Sequence, residues 1–291
     1  MNTSSQKFLY HDNETATTEH AAAFIIAEAY RAVAEHERFS MVLAGGNSPR
    51  MLYKRLAQGV SAELLKHYEL PLPAGCASNT TGHIRLPSET WFFMGDERCV
   101  PIDHPDSNER MIRETLLPHS GIPENHFIRM AGEKADTEEA AKEYEDAMRT
   151  FFMTGEKSAW QECPRFDLIL LGLGDDGHTA SLFADNIEAL QEQRRWVVAV
   201  NAPNGKPQGK RLTLTLPVIN HARNVLFFTT GKAKSELAEK IFLEQEKSIP
   251  ASLVKPENGR VFWFTSRSSP PIPALVNEPH RSQAVDLLQP T

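Results

Sequence analysis

Asp176 and His178 stand two residues apart around Gly177, in a stretch punctuated by Gly172, Gly174 and Gly177. A carboxylate beside an imidazole is a pairing suited to general-base chemistry. Neutral imidazole, with an ordinary pKa of about 6.5, takes a proton from water near neutrality. The carboxylate orients the ring and stabilises its cation. The chain has eleven histidines, and a lone histidine is more often structural. His178 is set apart by what precedes it. Leu168, Ile169, Leu170 and Leu171 form an apolar run without alternation, the pattern of a strand covered on both faces of a parallel sheet. In open α/β sheets ligands bind beyond the carboxyl ends of the strands, so the glycine bend delivers Asp176 and His178 to where catalysis is expected.

Three further clusters carry polar chemistry. Gly45-Gly46-Asn47-Ser48 precedes Pro49, which suits the first turn of a helix. Such a turn frees backbone N–H groups for an anion, the helix dipole adds about 0.3–1 kcal/mol, and Asn47 and Ser48 can donate as well. Asp96-Glu97-Arg98 is followed by Val100-Pro101, His104, Ser107 and Asn108. Gly231-Lys232-Ala233-Lys234 forms another strand-to-helix turn, with Lys206 and Arg211 shortly upstream. Lys234 can hold a phosphate as a point charge. Any one of these is commonly an ordinary turn; all four at strand ends describe one pocket for a small anion.

The elements that position them alternate. Helices are predicted over residues 15–37, from Pro49 onward, and over 109–117, 137–152 and 233–244. Strands are predicted over 39–44, 90–94, 168–171, 196–200, 212–216, 225–230 and 261–264. This order implies an α/β fold: a mostly parallel sheet with helices on both faces. No linker or internal repeat divides the chain, so residues 1–291 read as a single domain. Residues 70–88 read as a surface insertion loop, and residues 268–291 as a loosely ordered tail.

A hydrophobic fraction of 41% and a charged fraction of 24% are those of an ordinary globular protein. A net charge of −7 argues against a nucleic-acid or anionic-membrane partner, though not against a small anion met by locally gathered cations. Cys76, Cys99 and Cys163 are widely spaced and odd in number, which points to a reducing cytoplasm and gives no disulfide framework or zinc site. No secretory signal or membrane-spanning run is visible.

Taken in order, these motifs resemble the 6-phosphogluconolactonase family: Gly45 to Pro49, Asp96 to Arg98 with Val100-Pro101 and His104, Ser107-Asn108, Gly172 to Phe183, and Arg211 to Pro217. The likeness extends from about Asp12 to Phe264. It implies a Rossmann-like fold of the glucosamine-6-phosphate deaminase type and hydrolysis of a phosphosugar lactone, with no metal or organic cofactor. It implies that His178 is the base and Asp176 its orienting group, and that Gly45, Gly46, Asn47, Ser48, Arg211 and Lys234 hold the phosphate. Arg98 is left with two roles, binding phosphate or stabilising the oxyanion. Monomer and homodimer are both open. Asn47-Ser48 stands where Ser-Thr is common in the family, Ala184 where proline is usual and Ser266 where aspartate is common. None of these removes a candidate catalytic group.

Two rivals share the pocket. The glucosamine-6-phosphate deaminases resemble the chain in the glycine turn and the Asp-Gly-His. In them Asp-Glu is typically followed by Tyr, and Asp-Gly-His leads to a glutamate. Here Arg98 and Ser181-Leu182-Phe183 occupy those places. A sugar-phosphate sensor without turnover would be marked by loss of Asp176 or His178, and both are present. A serine hydrolase is disfavoured, since no Gly-x-Ser-x-Gly elbow occurs.

Overall fold

The computed structural model describes residues 5–74, 82–153 and 163–266. Among them lie the strands β1 (Ser5–His11), β2 (Phe39–Leu43), β3 (Val60–Ser61), β4 (His83–Ile84), β5 (Thr90–Met94) and β6 (Asp96–Arg98). Then follow β7 (Phe127–Ile128), β8 (Leu168–Leu171), β9 (Val197–Ala202), β10 (Gly209–Leu214), β11 (Asn224–Thr230) and β12 (Arg260–Ser266). Seven of them make one sheet in the order β1-β12-β11-β8-β2-β5-β7, with every pairing parallel.

From β2 the chain steps outward to β5 and β7, then returns to the other side of β2 as β8 and continues to β11 and β12. Right-handed crossovers therefore place Glu14–His36, Pro49–Gln58 and Asn108–Thr115 on one face, and Thr137–Phe152 and Lys232–Phe242 on the other. The expected doubly covered sheet is what forms. Its strand order reverses between β2 and β8, so the ligand crevice opens at their carboxyl ends.

The central strands are apolar because both faces are covered. All four residues of β8 are buried, each worth about 1.5–3 kcal/mol relative to exposure. The long helix Glu14–His36 is capped by Asn13, whose side chain accepts from Ala16 N at 2.9 Å, and it buries Ala21 through Ala27 against the sheet.

Several expectations need correction. The runs 196–200 and 212–216 do not join the main sheet. As β9 and β10 they pair antiparallel and, with β6, form a separate three-stranded sheet. Their apolar character marks burial, which either sheet provides. β10 ends at Leu214, because Pro217 opens the short helix Leu216–Asn220. Asp96-Glu97-Arg98 is itself a strand rather than a turn at a strand end. β1, an edge strand with only Phe8 buried, carries no core-strand signal and was not anticipated. Of the expected insertion loop, residues 75–81 lie outside the described residues. Beyond them β4 pairs antiparallel with β3. The tail 268–291 and Cys76 also lie outside the described residues, while Cys99 and Cys163 are free. Among the described residues no helix is long and apolar enough to cross a membrane.

Candidate active site

Beyond β8 the chain makes a tight turn in which Gly177 N donates to Gly174 O at 3.0 Å, with Asp175 and Asp176 at its centre. Gly174 N then donates to His178 O at 2.9 Å. The turn folds Asp176 back on the histidine: Asp176 Oδ1 lies 2.5 Å from His178 Nδ1 and accepts from His178 N at 3.2 Å. Burial opposes ionisation of Asp176. The His178 backbone N–H and imidazole outweigh it and hold the carboxyl below the ordinary range. An ionised Asp176 accepts a hydrogen bond from Nδ1–H and so leaves the lone pair on Nε2, the tautomer that a general base needs.

Two contacts fix this loop. The Phe183 ring packs on the imidazole with centroids 4.5 Å apart. Gly177 has φ +79°, and a Cβ there would lie 2.4 Å from Ile249 Cδ1, so only glycine lets the turn sit against the segment at Ile249. Ala251 N donates to Gly177 O at 3.0 Å from the same segment.

Across the crevice, the turn after β2 presents a cradle, Gly45 to Ser48, of a kind that suits an anion. Tyr53 Oη donates to Ala44 O at 2.6 Å and anchors the turn from the helix Pro49–Gln58. Ser48 occupies the N-cap without making a side-chain cap bond, so its hydroxyl is not spent on the helix. A Cβ on Gly45 would fall 2.1 Å from Asn108 Oδ1, so the cradle can close on the neighbouring helix only with glycine there.

The small sheet adds two cations. Arg98 and Arg211 stand opposite each other in the register of β6 and β10. Arg98 Nη1 donates to Asp106 O at 2.5 Å, and Arg211 Nη2 donates to Pro207 O. Each Nε is buried without a partner, and among the described residues neither arginine forms an ion pair. Burial lowers the Arg211 pKa, with the Arg98 charge acting in the same direction against the pull of Asp96. Buried donors without acceptors are costly unless a ligand anion completes them.

Gly45, Gly46, Asn47, Ser48, Arg98, His178, Arg211 and Lys234 all line one open cavity of about 220 Å³, and Lys206 joins them. Asp176 sits behind His178 rather than on the wall. The motifs of four strand ends are thus brought together.

Asp96 gained its role only with the structure. It is buried, lines the cavity, and accepts from Ser181 Oγ at 2.7 Å. Asn108 Nδ2 donates to its backbone oxygen at 2.9 Å. One residue thereby ties the histidine loop to the helix that packs on the Gly45 turn. The sequence places Asp96, Asn108 and Ser181 in motifs, yet nothing in their spacing tells that they meet. Its neighbour Glu97 does not line the cavity and serves the frame instead. Burial pushes its carboxyl up to about 7, against hydrogen bonds from Glu109 N at 2.7 Å, Asn108 N at 2.8 Å and Arg98 N at 2.7 Å.

Among the described residues no group of three His, Cys, Asp or Glu side chains is placed to hold a metal ion. The arrangement can activate water beside a bound small anion.

Comparison with known proteins places the chain among relatives of one family. The family model described as glucosamine-6-phosphate isomerases/6-phosphogluconolactonase matches residues 12–263. A 6-phosphogluconolactonase of Synechocystis is 35% identical over 260 residues, covering 88% of this chain and 94% of that protein. The 6-phosphogluconolactonase of Homo sapiens is 36% identical over 244 residues, covering 84% of each. The solved structure of 6-phosphogluconolactonase from Trypanosoma cruzi superposes with a TM-score of 0.71 at 28% identity, covering 91% of this chain and 95% of that one. The chain belongs to the family of glucosamine-6-phosphate isomerases and 6-phosphogluconolactonases.

Proposed function

We propose that this protein hydrolyses 6-phospho-D-glucono-1,5-lactone to 6-phospho-D-gluconate, in the oxidative branch of the pentose phosphate pathway. The observation that carries the reading is the meeting, in one cavity, of an Asp176-oriented His178 with the Gly45–Ser48 cradle, Arg98, Arg211 and Lys234. The cations and the cradle hold the phosphate. His178 Nε2 takes a proton from water as the water oxygen bonds to the lactone carbonyl carbon, and the carbonyl oxygen becomes an oxyanion. Collapse of this intermediate breaks the bond to the ring oxygen, which leaves with the proton carried by His178. A base of this kind contributes about 10²–10⁴ in rate. The steps use water and side chains only.

Arg98 and the Ser181-Leu182-Phe183 run favour lactone hydrolysis over deamination. In the deaminases the first position is typically tyrosine, and a glutamate assists the histidine. Here Phe183 packs on that imidazole instead. The core is one continuous cluster and the family model spans most of the chain, which supports reading residues 1–291 as one catalytic domain. The free thiols of Cys99 and Cys163 suit action in the cytoplasm, as a monomer or homodimer. The test is turnover of freshly generated lactone after subtraction of spontaneous hydrolysis. Ammonia release from glucosamine 6-phosphate without lactone turnover would move the assignment to the deaminases.

A further inference from the structure

The turn between Gly174 and Gly177 places two adjacent carboxylates against different partners. Asp176 folds back to His178, whereas Asp175 reaches the Lys234 ammonium at 3.9 Å. Asp175 and Lys234 both line the cavity, and Asp175 is exposed. The other carboxylate on the wall, Asp96, is buried and engaged by Ser181 and Asn108. Arg98 and Arg211 carry no counter-charge by ion pairing among the described residues. Among the described residues Lys234 is therefore the one cation of these three with an ion-pair partner.

We infer that Asp175 is a built-in counter-ion that the substrate's phosphate must displace from Lys234, and that it sets the affinity of the site for phosphorylated ligands. The inference rests on the reading that phosphate binds at Lys234. An exposed ion pair is worth little, so the exchange is easily reversible and its effect on affinity is about two- to fivefold. A dianionic phosphate outcompetes one carboxylate for the ammonium, whereas a neutral sugar has nothing to put in its place. Asp175 thus moderates the hold on phosphorylated ligands, and its charge at the mouth of the site assists departure of the anionic product.

The experiment measures inhibition constants of inorganic phosphate and 6-phosphogluconate, together with KM for the lactone, in wild type, Asp175→Asn, Lys234→Met and the double variant. Asp175 is on the surface, so its substitution leaves the core untouched. Asp175→Asn is expected to lower all three constants about two- to fivefold, with no further gain in the Lys234→Met background. Constants that are unchanged or raised in Asp175→Asn would overturn the inference. So would an equal gain in both backgrounds, which would mean a diffuse field effect rather than exchange on Lys234. If Lys234→Met alone leaves phosphate inhibition unchanged, the phosphate reading of Lys234 itself has failed, and the inference falls with it.

Discussion

Arg98 stands directly opposite Arg211 on the antiparallel neighbours β6 and β10, and both guanidiniums line the same cavity with a buried, unpartnered Nε. Two like charges side by side are unfavourable on their own, and a shared anion removes the conflict. Arg98→Gln and Arg211→Gln are each expected to raise KM for the phosphorylated lactone about 10–100-fold, the equivalent of one charged hydrogen bond. Their combination should cost less than the product of the two. A fall in kcat alone for Arg98→Gln would assign that residue to the carbonyl oxygen instead.

Asp176→Asn keeps the shape of the turn but offers the ring no carboxylate. The imidazole loses the partner that fixes its tautomer, and kcat is expected to drop by about 10² or more with KM little changed. Steady-state kinetics on the variant read both numbers. The exposure of the Asp176 side chain predicts that its melting temperature stays close to wild type.

Gly177→Ala tests the turn itself. The substitution meets both a φ of +79° and Ile249 Cδ1 at 2.4 Å. We expect a stability loss of about 1–3 kcal/mol in urea unfolding, together with reduced kcat as His178 shifts. Adding Ile249→Ala should recover part of the loss by removing the clash and leave the part due to backbone strain. Full recovery would show that the positive φ carries no cost.

Much of this was legible in the sequence, and what was not has physical causes. The helix 137–152 is fixed by an amphipathic pattern behind an Asp136 cap, and structure and expectation coincide there. The uniformly apolar β8 and the glycine bend after it located His178. β1 was invisible because an edge strand pairing on one side needs only one buried side chain. That β9 and β10 pair antiparallel in a separate sheet is not visible in the sequence, because burial, not partner direction, sets their composition. The tie from Asp96 to Ser181 spans 85 positions and joins β6 to the histidine loop, two segments that periodicity does not relate.

His20 supplies a pH dependence outside the site. It is stacked on Tyr68 with ring centroids 4.0 Å apart, and its Nδ1 lies 2.9 Å from His11 Nε2. Burial, reinforced by the neighbouring His11 and His67 charges, lowers its pKa to about 3. His20 is thus neutral in the folded state, while the unfolded chain takes up a proton below about 6.5. Its stabilising contribution is complete above pH 6.5 and is lost as the pH falls towards 3, with a slope of at most about 1.4 kcal/mol per pH unit. Unfolding curves between pH 7 and 4 should fall less steeply for His20→Asn than for wild type. Parallel curves would contradict the prediction.

The most direct test of the account is lactone turnover by His178→Ala beside wild type, on freshly generated 6-phosphogluconolactone and corrected for spontaneous hydrolysis. The account predicts rapid wild-type hydrolysis and a fall in kcat of at least about 10² in the variant, with phosphate inhibition preserved because the cations are untouched. Turnover indifferent to the substitution would contradict it, leaving a lactone hydrolase in which His178 is not the base.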